Sequence, residues 1–288
     1  MIRVRDDLKT LFPEKTVDEF MHIDSVTVKH VVADRRTSSF QRDGRSFYLK
    51  AHMGVGWREI FKNLSQLKKP VLGARDEWLA IQACHRLGIE TMQIAAFGER
   101  GWNPATRHSF LITDSLENTV SLDNFFPRLY AKQPVSTARR LHYAITDKVA
   151  QIARMMHSNG LNHRDFYLCH LRIGLSDEAS VDILDGMPIY LMDLHRMQIR
   201  KQTPERWLVK DIAALLYSAV AACEGCRLGS GIILRFIETY TGMSCKQAIS
   251  RHSDFWRKVL RRAIRMIEKD GIDINNLPVI LQRFHHNA

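Results

Sequence analysis

The segment Leu161-Asn162-His163-Arg164-Asp165-Phe166-Tyr167-Leu168-Cys169-His170 narrows the choice of fold more than any other stretch of this chain. It follows a helical run closed by Asn159-Gly160, residues suited to a left-handed helix end. A loop entered from a helix and carrying His, Arg and Asp in succession offers a carboxylate, Asp165, able to accept a proton, and further on an imidazole, His170, able to assist at a cation. Alone, the triplet is equally a solvated loop of common polar residues. A catalytic reading requires three partners elsewhere: a cation for an anionic group, a carboxylate orienting that cation, and a second carboxylate on a metal ion.

With 288 residues, 45% of them hydrophobic and 25% charged, the chain can bury a substantial core and form one large or two modest domains. No stretch approaches the roughly 20 apolar residues that span a bilayer, and Met1 to Lys15 alternates charged with apolar residues, so a cytoplasmic protein is expected. The five cysteines are scattered and odd in number, which suits thiols in a reducing compartment, and Cys223-x-x-Cys226 lacks the second pair a zinc site needs. Forty-two Lys and Arg against 31 Asp and Glu give a formal charge of +11, so the surface should attract polyanions: nucleic acid, anionic membrane or acidic protein. The charge does not choose among them. Zinc-finger spacing, an RNA-binding aromatic motif and a helix-turn-helix with a concentrated basic face are all missing from the sequence, which argues against nucleic acid.

Taken in order, Ser25 to His52 reads as a small antiparallel sheet: Val26 to Val32, Thr37 to Gln41 and Ser46 to Ala51, the last two flanking the turn Asp43-Gly44. The third strand places Lys50 at the end of an aromatic and apolar run. The turn Ala33 to Thr37 contains no glycine; Arg35 and Arg36, with nearby hydroxyls, are its candidates for phosphate contact. Helices are expected over Trp57 to Leu67 and Ala74 to Leu87, the second with Glu77 in its first turn. Strands follow at Thr91 to Phe97 and Ser109 to Thr113. Backbone groups of Asp114-Ser115-Leu116 could then read a purine as a hinge. Helices at Ser121 to Tyr130 and Ser136 to Ser158 lead to the His-Arg-Asp loop. Beyond it, Val181 to Leu184 and Pro188 to Met192 read as a hairpin around Asp185-Gly186, and Asp193 caps the second strand. Asp211 is expected to open a buried helix, Ile212 to Cys223. The last helix, Asp254 to Lys269, sets Arg257, Lys258, Arg261, Arg262 and Arg265 against Val259, Leu260, Ile264 and Ile267, a pattern that suits a solvated face or an anionic membrane surface.

Lys50, Glu77, Asp165 and Asp193 thus fall on strand, helix, loop and strand end, in the order that phosphoryl transfer in protein kinases requires. The chain resembles, more specifically, the lipopolysaccharide kinase (Kdo/WaaP) family of Gram-negative bacteria, and within it the core heptose(I) kinases. The resemblance is carried by Pro70-Val71-Leu72-Gly73-Ala74 with Glu77-Trp78, Phe97-Gly98-Glu99-Arg100-Gly101, Ser109 to Thr113, Asn162-His163-Arg164-Asp165 with Cys169-His170, Asp193-Leu194-His195-Arg196, Arg206-Trp207 and Lys210-Asp211. It implies an α+β, bilobal protein-kinase-like fold, with a small antiparallel-sheet N-lobe over residues 1–116 and a mainly helical C-lobe over 117–288. It also implies transfer of the ATP γ-phosphate, with Mg2+, to the inner heptose of the lipopolysaccharide core, at O-4. Asp165 is then the base, Lys50 the phosphate ligand with Glu77 its partner, and Arg35, Arg36, Asp114 and Leu116 complete the nucleotide site. Asp193 and His170 fall to the metal; His163, Arg164 and Asp211 support the loop. His170 stands where protein kinases carry Asn, and three roles stay open for it: weak metal ligand, partner of a metal-bound water, or brace of the loop. The implied setting is the inner face of the cytoplasmic membrane, with the lipid A-linked core as acceptor, peripheral contact with anionic lipid, and room for an acidic protein partner. A kinase for Kdo or the second heptose would retain every one of these residues, and a kinase-shaped scaffold is the non-enzymatic alternative.

Overall fold

The computed structural model describes every residue except 33–34, 67–69, 176–186, 224–227, 273–277 and 279–288, together with backbone only for 29–32. The expected strand Val181 to Leu184 and its turn lie outside the described residues. The chain forms two compact units: Met1–Arg86 with Thr91–Glu117 and Asp193–Arg196, and Leu87–Glu90 with Asn118–Met192 and Met197–Ala288.

The first unit is built on a six-stranded antiparallel sheet. Its strands are β1 (Ile2–Val4), β2 (Val26–Val32), β3 (Arg35–Arg42), β4 (Arg45–His52), β5 (Ile94–Arg100) and β6 (His108–Asp114), in the spatial order β1-β5-β6-β4-β3-β2. Strand periodicity sends Phe47, Leu49 and Ala51 of β4 to one face, where they join Phe12, Phe20, Phe40 and Phe110 in an aromatic core. The Phe20 and Phe110 rings stack at 4.4 Å. Phe20 belongs to the short helix α1 (Val17–Met21), whose Thr16 side chain accepts the Glu19 N–H while Glu19 accepts the Lys15 N–H, a reciprocal cap. The same periodicity sends Tyr48, Lys50 and His52 to the opposite face. Helix α2 (Gly56–Ser65) follows β4, and α3 (Arg75–Arg86) packs on that opposite face, with Trp78 stacked on Phe97 at 4.5 Å. The N-terminus of α3 is pinned to β6 where the Ala74 N–H donates to the buried Ser109 hydroxyl at 3.0 Å.

The second unit is mainly helical. In chain order it holds β7 (Thr119–Ser121), α4 (Leu122–Lys132), α5 (Val135–Ser158), β8 (Leu161–Asn162), β9 (Leu171–Gly174), β10 (Ile189–Leu191), β11 (Gln198–Ile199), α6 (Glu205–Ala222), α7 (Ser230–Thr241), α8 (Cys245–Arg251) and α9 (Ser253–Lys269). Helix α5 runs its apolar stripe, Leu141, Ile145, Val149, Ile152 and Met156, through the core, against α7. An apolar cavity lies among α5, α6, α7 and α9, lined by residues such as Val149, Leu215, Ile233 and Trp256. Helix α6 begins at Glu205, two turns before the expected start at Ile212. Asp211 therefore sits inside the helix instead of opening it, because the Pro204-Glu205 start signal precedes the most apolar stretch.

Candidate active site

The first unit brings together three of the expected site residues. Thr37 of β3 and Leu111 of β6 pair with Lys50 across the sheet, fixing the height at which the ammonium emerges. Its Nζ donates to Glu77 Oε1 at 2.6 Å, and Glu77 is only 2% exposed. A buried carboxylate on a helix anchored by Ser109 leaves the lysine one favoured direction. Burial is the largest influence on Lys50 and pushes its pKa down. Glu77 and then Asp193 outweigh it, so the ammonium is held above its ordinary value.

Asp193 lies two residues beyond β10 in the left-handed region, φ 58°, an uncommon conformation for a residue with a Cβ. His195 Nδ1 lies 2.5 Å from its Oδ1, which sets the carboxylate's orientation. His52 also lies on the Lys50 face. Burial first, then the charges of Arg35, Lys50 and His195, lowers its pKa to about 3, so it is neutral in the fold.

Arg35 and Arg36 are strand residues at the start of β3, and alternation separates them. Arg35 pairs with His52, on the Lys50 face, and donates to the Val71 carbonyl at 2.8 Å. Arg36 pairs with Ala51, on the aromatic-core face, and donates to the Met21 carbonyl. The sheet thus carries Arg36 away from Lys50. The Asp114 N–H donates to the Gln93 carbonyl, and its carboxylate accepts from Arg5 at 2.8 Å. Leu116 follows as the chain leaves the first unit.

The second unit holds the His-Arg-Asp loop, entered through Gly160. With φ 79° and a notional Cβ 1.9 Å from the Arg200 carbonyl oxygen, position 160 admits only glycine; its own carbonyl accepts the Arg200 N–H, next to the β8–β11 pair. The fully buried Asp211 then receives two consecutive backbone N–H groups, His163 at 2.7 Å and Arg164 at 2.8 Å. Arg164 takes φ 75°, a conformation those two bonds hold in place. His163 donates from Nε2 to the Met192 carbonyl at 2.8 Å, and Met192 N–H donates to the His170 carbonyl. His170 Nδ1 lies 2.7 Å from the Asp165 carbonyl oxygen. A carbonyl only accepts, so Nδ1 carries the proton and the imidazole lone pair resides on Nε2. This bond ties His170 to the backbone of the loop at Asp165.

The Asp165 carboxylate is partly exposed and has Lys210 Nζ 3.6 Å away. Lys210 was legible only as part of a motif with Asp211; one turn of α6 separates it from Trp207. Four cations surround that indole: the Arg164, Arg200 and Arg206 guanidinium carbons and Lys210 Nζ lie 5.0 to 5.9 Å from its ring. Of these residues the sequence assigns a role to Arg164 alone, as support of the loop; Arg200, Arg206, Lys210 and, elsewhere, His195 have none assigned. Among the described residues no group of three or more His, Cys, Asp or Glu is arranged as a metal site, and no helix is long and apolar enough to cross a membrane.

Residues 26–240 match the model of the lipopolysaccharide kinase (Kdo/WaaP) family. The lipopolysaccharide core heptose(I) kinase WaaP of Pseudomonas aeruginosa is 39% identical over 239 residues, 82% of this chain and 84% of that protein. The enzyme of the same name from Escherichia coli K12 is 36% identical over 271 residues, 93% of this chain and 98% of that one. A solved structure of WaaP in complex with acyl carrier protein superposes with a TM-score of 0.74 at 30% identity, covering 92% of this chain and 98% of that chain. Family model, relatives and fold agree: the chain belongs to the lipopolysaccharide kinase (Kdo/WaaP) family of phosphotransferases.

Proposed function

We propose that this protein transfers the γ-phosphate of ATP to O-4 of the first heptose of the lipopolysaccharide inner core, at the inner face of the cytoplasmic membrane. The observation that carries the phosphotransfer reading is the Lys50–Glu77 pair at 2.6 Å with Asp193 acting on the same lysine. A scaffold has no need of an ammonium fixed by a buried carboxylate, whereas nucleotide phosphates require one. The heptose assignment comes from relatives named for that activity over most of their length.

Lys50, oriented by Glu77, binds nucleotide phosphate, and Arg35 on the same face of the sheet adds a second cation. Arg36, occupied on the other face, is left out of this set. Residues 114–116 supply hinge backbone. The donor set fits Mg2+, which takes most of its ligands from phosphate and water and needs one or two protein groups. Asp193 would hold it, and the Nε2 lone pair of His170 would hold it or a water on it. When bound, the ion neutralises charge developing on the transferred phosphoryl group.

Asp165 accepts the heptose hydroxyl proton as the bond to phosphorus forms, and Lys210, 3.6 Å away, keeps the carboxylate oriented. Asp211, His163 and Arg164 hold the loop that carries it. The cations around Trp207 sit in the same unit as Asp165 and suit an acceptor bearing acidic sugars or phosphates. The basic chain, +11 in formal charge, also suits an anionic membrane and an acidic protein; a relative is known in complex with acyl carrier protein.

The test incubates the protein with Mg2+, labelled ATP and dephosphorylated lipopolysaccharide core, beside Asp165→Ala. Label is expected on the inner heptose, with turnover reduced on the order of 10²–10⁴-fold in the variant while the fold melts normally. Undiminished turnover would remove Asp165 as base. Label on Kdo or the second heptose alone would move the acceptor.

A further inference from the structure

Helix α2 carries an apolar ridge that the fold does not use. Trp57, Phe61 and Leu64, spaced to share one helix face, are 50%, 61% and 51% exposed. The Trp57 and Phe61 rings stack with centroids 5.7 Å apart, so the ridge is preformed. Only Ile60 of this helix is buried, against Val55, Ala105 and Leu72. That small cluster also seats the loop between β5 and β6, whose Ala105 carbonyl accepts the Gly56 N–H and whose Trp102 is 89% exposed. Met53 stands exposed just before the helix. On no other helix among the described residues do three exposed large apolar side chains share a face.

Cations flank the ridge. Arg58 and Lys62 lie one turn apart beside it, and Lys62 shares the helix with Glu59 in an exposed pair at 3.5 Å, a contact of little strength in water. A preformed aromatic and aliphatic face bordered by Arg and Lys on a short helix is the pattern of a helix lying in the interfacial plane of an anionic bilayer. Helix α9, the basic amphipathic helix of the sequence, lacks this capacity. Trp256, Val259, Leu260, Ala263, Ile264 and Ile267 are buried in the fold, leaving a polar face rich in Arg and Lys on the solvent side.

We propose that α2, with the adjoining Trp102 loop, is the membrane-docking element: Trp57, Phe61 and Leu64 enter the headgroup boundary of an anionic bilayer while Arg58 and Lys62 contact lipid phosphates. This rests on the peripheral-membrane reading above and assigns its location. Docking through α2 delivers the first unit to the surface that holds a lipid-linked acceptor.

The test is vesicle flotation of the full chain, with phosphatidylcholine alone or mixed with phosphatidylglycerol. Three proteins are compared: wild type, a ridge variant (Trp57→Ser, Phe61→Ser, Leu64→Ser), and an α9 variant (Arg257→Glu, Arg261→Glu, Arg265→Glu). Wild type should float with the anionic vesicles, and the ridge variant should bind on the order of tenfold or more weakly. The α9 variant should retain most binding. Brominated lipid should quench tryptophan emission in wild type and less in Trp57→Phe. Thermal melts report whether each variant folds. Equal flotation of wild type and ridge variant overturns the assignment, as does flotation lost in the α9 variant alone. A dimer that the ridge variant abolishes, without vesicle binding by wild type, makes the ridge a contact between copies and also overturns it. Failure of wild type to phosphorylate a lipid-free core oligosaccharide would instead strike the kinase reading and leave the flotation result standing.

Discussion

Asp211 gives the sharpest energetic prediction. Its carboxylate is fully buried and accepts the backbone N–H groups of His163 and Arg164 at 2.7 and 2.8 Å, with His157 Nε2 at 3.5 Å. Hydrogen bonds to a charged acceptor contribute about 1.5–3 kcal/mol each, and a buried N–H left without a partner costs about 1–3 kcal/mol. Asp211→Ala removes both acceptors at once and should destabilise the helical unit by about 3–5 kcal/mol. Asp211→Asn keeps the shape and one acceptor oxygen but turns an NH2 group toward one of the two N–H donors, for a loss of about 2–4 kcal/mol. Urea unfolding reads the total. Amide hydrogen exchange at His163 and Arg164 reads the location, because these two amides should lose protection in the alanine variant before the α5 core does. The loss should also reach catalysis, since the same bonds hold Arg164 at φ 75° immediately before Asp165. Unfolding midpoints within about 0.5 kcal/mol of wild type for both variants, with His163 and Arg164 still protected, would refute the reasoning.

Replacing Lys50 by Met should cost about 3–5 kcal/mol in urea unfolding, because Glu77 is left charged and 2% exposed; adding Glu77→Leu should recover most of that without restoring phosphotransfer. The Lys50 pKa is raised above 10.5 in the fold, so its contribution is complete below pH 10.5 and is lost only as pH rises through the higher folded value; wild type and Lys50→Met should converge only in that alkaline range. His142, buried against Phe126, has its pKa lowered by burial from 6.5 to about 4. Its contribution is therefore complete above pH 6.5 and falls by on the order of 3 kcal/mol as pH drops through about 4, a slope that should flatten in His142→Phe when unfolding midpoints are measured against pH. Gly160→Ala should cost more than the about 1–3 kcal/mol of left-handed strain alone, since its Cβ would meet the Arg200 backbone oxygen at 1.9 Å; a melting temperature equal to wild type would contradict the geometry.

The parts of this fold that were legible in the sequence are those whose signal is local. Strands β4 and β6 alternate or run apolar between turn residues, and α5 shows its 3.6-residue stripe over 24 residues. Strand β1 is three residues long and stabilised by its ladder to β5, Ile2 opposite Gly98, so the charged N-terminal stretch concealed it. Helix α1 did leave a signal, the Thr16 to Glu19 capping pair, which the charge alternation around it masked. The separation of Arg35 from Arg36 could be seen only once β3 was known to continue into that expected turn, since the faces of a strand are fixed by register. Asp211 was expected at a helix start and lies inside one.

The motif itself follows the opposite rule. Arg164 and Asp193 both adopt positive φ, which the local preferences of Arg and Asp do not favour. What holds Arg164 lies far away in sequence, two acceptor oxygens on α6, and the loop is entered through Gly160, which closely approaches Arg200 just beyond β11. Asp193 is fixed by the His195 bond at its side chain. A His-Arg-Asp triplet can therefore appear by chance in any loop, but the conformation that presents Asp165 requires Asp211, Gly160 and Arg200 to be placed as well. Such strain persists only where surrounding contacts determine it. The conformation, more than the three letters, distinguishes this loop from a solvated one.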